Sequence, residues 1–232
     1  MKPVFALLCT FSLALLALSS AAHSPSGQRV ISQLIDKNRA AGRTQTLSLR
    51  VSLQLGPQQT VVASGRLDTD PSGNARLELS NPQGIVERHI SRRGVVSASR
   101  DGRELANPRP FLAPLPLLQL ESPIAYRDQL GGRSLGEPVA LGYVEQHDCY
   151  VLGDKRSGAA LWVDLETLDP VQVRNAAGVT FELGPYRPFG RLVLPTWIEA
   201  GDGASFQSRL VVESAEAVTL PPDAFQPSWL YR

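Results

Sequence analysis

Three observations place this chain among mainly β (α+β) proteins built on an antiparallel sheet. Apolar residues recur two apart in short runs over most of its length, the period that turns one face of a strand inward. Nearly every run stops at Gly, Pro, Asn or Asp, which supply turn geometry. The intervals between runs are too short for parallel crossovers, which need a dozen residues or more. One helical stripe near the start and one proline-rich apolar interruption near the middle break the pattern.

The first residues are read apart from the fold. Lys2, the apolar run Val4 to Leu18 and the small residues Ser19-Ser20-Ala21-Ala22 have the layout of a secretory signal peptide spanning 1–22. The run is short of the roughly 20 residues that span a membrane. Cys9 sits inside it behind Leu8, where a lipid-modified cysteine would want a small residue, so a lipoprotein signal is disfavoured. Cleavage removes only Lys2 from the 23 Lys and Arg, and the rest balance the 22 Asp and Glu. A neutral chain is no nucleic-acid binder by bulk electrostatics. Cys149 is then the only cysteine, no intrachain disulfide can form, and the fold must hold by burial. Residues 23–232 are expected to form one domain and a monomer.

From Ser26 to Gly42, Val30, Ile31, Leu34 and Ile35 make one stripe of an α-helix, with Ser26 as its cap and Gly42 as its stop. Thr44 to Leu55 follows as the clearest strand. Leu47, Leu49, Val51, Leu53 and Leu55 face one way, and Thr46, Ser48, Arg50, Ser52 and Gln54 the other. Thr60–Thr69, Asn74–Ser80 and Gly84–Ser91 are spaced as hairpins, and Gly94–Arg100 and Arg103–Ala106 flank the hairpin dipeptide Asp101-Gly102.

The alternation stops at Asn107. Prolines at 108, 110, 114 and 116 forbid a central strand and restrict helix to the part after Pro116, while Ser122 to Leu130 has its own cap and its own stop at Gly131-Gly132. Residues 107–131 therefore form an apolar, partly helical excursion. It is either a connector whose leucines plug the core or a lid over an apolar cavity. A second block of strands runs from Arg133 to Gln146 and Cys149 to Gly153. It continues through 159–200, where 184–190 reads as a turn, and ends with Ser205–Ser214 and Ala217–Leu220.

Little in the sequence carries chemistry. Gly132-Arg133-Ser134-Leu135-Gly136 matches a serine-hydrolase elbow in letters, but that motif needs a strand before the serine and a helix after it. Here glycines precede and Glu137-Pro138 follow, so an esterase is the weakest reading. His147-Asp148-Cys149 lacks a second ligand cluster to complete a zinc site, and Cys149 reads as a small core residue. No metal or cofactor is expected. Between residues 88 and 109 stand six arginines, at 88, 92, 93, 100, 103 and 109. They are either a solvated pair of hairpins or a basic rim, centred on Arg88, Arg92 and Arg93, that meets anionic headgroups or an acidic partner.

The layout and several short motifs resemble the bacterial LolA/LolB-like superfamily of outer-membrane lipoprotein-sorting and carrier proteins. The motifs are His147-Asp148-Cys149-Tyr150-Val151-Leu152, Leu161-Trp162-Val163-Asp164 with Leu168-Asp169-Pro170-Val171, and Tyr186-Arg187-Pro188-Phe189-Gly190 leading to Leu194-Pro195-Thr196. The closing stretch Val218-Thr219-Leu220-Pro221 to Phe225-Gln226-Pro227 adds to them. The resemblance implies an unclosed, strongly curved antiparallel half-barrel of about 10–12 strands, with an N-terminal helix and a short helical lid, around a concavity for acyl chains.

On that reading Val30 and Leu34, Leu47, Leu49, Val51 and Leu53, Leu161 and Val163 line the concavity. Phe111, Leu112, Leu115, Leu117 and Leu118 cover it. The expected function is a non-enzymatic periplasmic carrier in a Gram-negative type of envelope, a chaperone for acylated lipoprotein or lipid, with a membrane-bound receptor or release complex as a further partner. The alternative is an envelope-stress sensor of the RseB/MucB type, which contains a similar half-barrel. Such sensors carry a further C-terminal domain, whereas this sequence ends at Arg232 just after the expected last strand.

Overall fold

The computed structural model describes residues 24–92, 95–130, 136–156, 158–201 and 208–232. The segment read as a signal peptide, Arg93 and Ser134 lie outside them. Helix α1 (Gly27–Ala40) starts where expected, with Ser26 Oγ accepting from the Arg29 amide at 3.3 Å. Its stripe of Val30, Ile31, Leu34 and Ile35 is buried.

Strands β1 (Leu47–Leu55), β2 (Thr60–Thr69), β3 (Ala75–Ser80), β4 (Val86–Arg92), β5 (Val95–Arg100) and β6 (Arg103–Glu104) make the first block. After the excursion come β7 (Ala140–Val144), β8 (His147–Gly153), β9 (Ala160–Asp164), β10 (Pro170–Arg174) and β11 (Thr180–Leu183). The last four are β12 (Tyr186–Phe189), β13 (Leu192–Pro195), β14 (Trp197–Gly201) and β15 (Ser208–Ala217). Thirteen of them form one antiparallel sheet in the order β6-β5-β4-β3-β2-β1-β15-β14-β11-β10-β9-β8-β7. The edge strands do not meet, so the sheet is an unclosed half-barrel.

The two blocks are one surface because β15 returns to the first strand, pairing Leu47 with Ala217 at one end and Leu55 with Ser208 at the other. The strand count exceeds the ten to twelve expected. One reason is that 184–190 is no simple turn: Tyr186–Phe189 pairs with Leu192–Pro195 as a separate ribbon. Two further boundaries differ. Ala217–Leu220 is not a separate strand; β15 absorbs Ala217, and Val218 donates onward to the Thr46 carbonyl. The strand expected over Arg133–Gln146 is confined to β7 among the described residues.

The excursion holds a 3-10 turn (Pro110–Leu112), α2 (Leu115–Gln119) and α3 (Pro123–Gln129). Helix α2 begins one residue before Pro116 instead of after it. Proline costs a helix nothing in its first turn, where its missing N–H would have had no partner. Ser122 caps α3 as read, accepting from the Ala125 amide at 3.1 Å.

One face of the sheet carries the core. Leu47, Leu49, Val51 and Leu53 of β1, Leu67, Leu77, Leu210 and Phe181 from its neighbours, the α1 stripe and the excursion form a single buried cluster. The opposite face has its own small cluster, Cys149, Val151, Ala160 and Trp162. Near the other end of the sheet a 3-10 turn (Pro227–Tyr231) packs on β4 and β5, with Ser99 Oγ donating to the Leu230 carbonyl at 2.5 Å.

Gly65 shows how tightly the sheet curls. It lies opposite Val51 and Leu79, and a Cβ there would stand 1.7 Å from the Glu78 carbonyl oxygen. Because the obstacle is backbone, β2 and β3 would have to part. Gly65→Ala is expected to cost about 1–3 kcal/mol, toward the upper end of overpacking substitutions, read as a lower urea midpoint. An unchanged midpoint would show that the sheet can relax there.

Candidate functional site

Alternation sends the long apolar side chains of β1 and β9 to the inner face, and the helical stripe of α1 meets them from above. All thirteen positions expected to line or cover a concavity come together in the main cluster: Val30 and Leu34, Leu47 to Leu53, Phe111 to Leu118, and Leu161 with Val163. Phe111 and Leu112 have no exposure at all. The inner face of the half-barrel is therefore occupied by the chain's own excursion.

A small polar set, invisible to the apolar pattern, fixes the excursion in place. Gln119, buried among leucines, donates from Nε2 to the Arg43 and Gln45 carbonyls at 2.9 and 3.0 Å, and its Oε1 accepts from Thr69 Oγ1 at 2.6 Å. Asn38 Nδ2 donates to the Leu120 carbonyl at 3.2 Å and to Tyr126 Oη at 3.1 Å, and that hydroxyl donates to the Leu117 carbonyl at 3.1 Å. Burial pushes the Tyr126 phenol up to about 12, against the pull of Asn38. Arg43, fully buried, joins the set through Asn38 Oδ1, the Val193 carbonyl and Asp169. The one sequence signal was a helix with polar residues on an otherwise apolar stretch.

At the far end of the same face a cavity of about 240 Å³ is lined by Leu53, Leu55, Val62, Ala63, Leu79 and Ile85, by the carboxamide residue Asn81, and by the charged set Glu87, Arg100 and Arg109. Glu87 accepts from Arg100 Nη2 at 2.6 Å and from Arg109 Nε at 2.7 Å. Behind it His89, without exposure, brings Nε2 to 3.5 Å from Glu87 Oε2, and neither of its ring nitrogens has a hydrogen-bond partner. His89 beside it and the guanidiniums of Arg109 and Arg100 hold the Glu87 carboxyl well below the usual carboxylate range, against the opposing effect of burial. At 3.5 Å the His89 contact is a weak one; the guanidiniums make the close ones.

The remaining candidates lie elsewhere. Arg88 belongs to the outer face, where it pairs with Glu78 at 2.6 Å and lies over the Trp229 ring, and Arg92 approaches Gln226. Both are engaged with the chain itself. Arg93 and Ser134 fall outside the described residues. Cys149 is buried in the outer cluster, and burial pushes its thiol up to about 11. His147 sets its Nδ1 2.6 Å from Asp164 Oδ2, and its carbonyl accepts from Cys149 Sγ at 3.4 Å. Burial pulls the Asp164 carboxyl up, but the Thr167 amide and His147 outweigh it and leave the group lowered. Among the described residues no three His, Cys, Asp or Glu side chains could share a metal ion, and no helix is long and apolar enough to cross a membrane.

The Glu87 ion pairs generate a pH dependence. In the unfolded chain this carboxyl takes up its proton near 4.5, and in the folded chain only at much lower pH. Below 4.5 the unfolded state binds more protons, so stability is lost as the pH is lowered. The melting temperature of the native chain should exceed that of Glu87→Gln above pH 5, and the gap should close as pH drops below 4.5. A gap constant down to pH 3 would remove the ion pairs as its cause.

In sequence the chain matches no family model and no curated protein. In structure it is similar to a LolA superfamily protein from Nitrosomonas europaea, at 14% identity over 89% of this chain and 100% of that one, with a TM-score of 0.53. A DUF1329 family protein from Desulfovibrio piger aligns at 12% identity over 85% and 96% of the two chains, with a TM-score of 0.49. A domain named for outer-membrane lipoprotein sorting, from Vibrio parahaemolyticus, aligns at 15% identity over 88% and 97%, with a TM-score of 0.43. The first of these, covered along its whole length, carries the conclusion: this chain has the LolA-like fold.

Proposed function

We propose that this chain is a periplasmic carrier that shelters the acyl chains of lipoproteins or lipids, with residues 107–131 as its movable lid. The observation that carries this reading is the mismatch between the two ways the excursion is held. Its leucines cover a continuous apolar face that an acyl chain would cover equally well, whereas its specific anchorage is a handful of hydrogen bonds from Gln119, Asn38 and Tyr126. Each CH₂ buried contributes about 0.8 kcal/mol, so a long chain can compete with the lid for the same surface. Burial alone provides the affinity, and no bond in the cargo is made or broken.

Export through a signal peptide at 1–22 places such a carrier where acylated cargo must cross an aqueous compartment. Release to a membrane-bound receptor then completes the cycle, with the lid returning to its seat as the cargo leaves. The LolA-like fold supports this assignment at the level of architecture.

Native mass spectrometry of the mature protein, with uptake of a fluorescent fatty acid, tests the reading. Leu49→Arg, which places a charge on the wall, should abolish uptake; circular dichroism checks that the variant is folded. Gln119→Leu removes three hydrogen bonds from the lid and should speed uptake several-fold, at a stability cost of about 1–3 kcal/mol for the partners left unpaired. If Gln119→Leu lowers the melting temperature and uptake stays absent in both proteins, the excursion is a fixed plug and the carrier reading fails.

A further inference from the structure

Resting on the carrier reading, we infer that the cavity at the open end of the half-barrel is a headgroup site. It takes a single-chain amphiphile with an anionic head, a carboxylate or a phosphate. Its two walls differ in kind. One is mainly aliphatic, with Leu53, Leu55, Leu79 and Ile85, and continues into the main cluster; its one polar member, Asn81, has its Oδ1 taken by the Gln83 and Ile85 amides. The other is the Arg100, Arg109 and Glu87 set, in which two guanidiniums share one carboxylate and leave a net positive charge.

The geometry leaves donors for a second anion. Both arginines address Glu87 through Nε and Nη2, so the Nη1 groups of both have no hydrogen-bond partner among the described residues. A guanidinium presents five N–H donors in a rigid fork suited to carboxylate and phosphate. Glu87 acts as a positioning residue: it is buried, fully ionised near neutral pH, and holds the two forks side by side. Arg100 is half exposed and Arg109 about a quarter, so the head stays in reach of water while the chain beneath it is covered.

Size limits what fits. Whole small-molecule sites enclose roughly 300–1,000 Å³, and this cavity of about 240 Å³ falls below that range. It holds the head and the first stretch of one chain, and the rest must run along the face that the excursion covers. Arg109 is also the residue that opens the 3-10 turn at Pro110, so the head would be held at the hinge of the lid. A neutral head gains at most a hydrogen bond without the ion pair, and a cationic one meets the surplus positive charge.

The test is a competition series on the mature protein with dodecanoate, dodecyl phosphate, dodecanol and dodecyltrimethylammonium, each displacing a neutral fluorescent acyl probe. The acids should bind at least about tenfold tighter than the alcohol, and the cation weakest. Arg100→Gln should remove most of that advantage and leave dodecanol unchanged; Arg100→Lys should restore part of it. Tighter binding of the phosphate identifies a lipid headgroup as the source, and tighter binding of the carboxylate a fatty acid. Equal affinity for acid and alcohol, or an advantage that Arg100→Gln and Arg109→Gln together leave intact, overturns the headgroup site while the carrier reading stands. No uptake of any member of the series overturns both.

Discussion

A single buried cation ties the architecture together. Arg43 has no exposure, and its guanidinium donates to Asp169 in the β9–β10 turn, to the Val193 carbonyl of the ribbon and to Asn38 of α1, while its ring-facing side lies 4.6 Å over Tyr186. Its own carbonyl receives Gln119. Helix, excursion, sheet and ribbon thus meet at one residue. Breaking a buried pair by deleting one partner leaves the other charge uncompensated, typically at about 3–5 kcal/mol. Lys37 shares Asp169, which keeps that carboxylate doubly neutralised.

This junction lies at one end of the half-barrel and the Glu87 cluster at the other. Between them the inner face is mostly apolar, with Gln119 and Thr69 paired among its leucines. Ion pairs at both ends and hydrocarbon between them divide the labour: the charged ends set where the excursion sits, and the middle sets how strongly an apolar surface is hidden. The outer face is treated differently. Its apolar residues are few, and its aromatic rings are roofed by arginines, Arg174 over Trp162 and Arg209 over Trp197. Arg43 anchors the interior, and the same residue type on the outer face shields rings from water.

Much of this was legible because it is local. The alternation in β1, the stripe of α1 and the two serine caps depend on neighbours within a turn or a pleat, and each stands where the sequence places it. Facing was legible for Leu47 to Leu53 and for Leu161 and Val163 for the same reason. What escaped depends on distant partners. Arg43 and Gln119 look like ordinary surface residues until Asp169 and Thr69, 126 and 50 residues away, are brought to them. The β12 and β13 ribbon was hidden because Pro188 and two glycines read as a turn, although a two-stranded ribbon tolerates proline at its edge. The arginine cluster was visible as composition, but only pairing across β4 and β5 separates Arg100, opposite Glu87, from Arg88 on the other face.

A sheet that stays open keeps two unpaired edges, and each is a template on which a foreign strand could grow. On one side β6 has two residues, Arg103 and Glu104, too short and too charged to seed a pairing. On the other, β7 exposes Leu141 and Tyr143, and Lys155 donates to the Leu141 carbonyl, setting an ammonium group on that margin. The openness that would admit cargo carries a hazard of aggregation, and this chain meets it with brevity at one border and a lysine at the other.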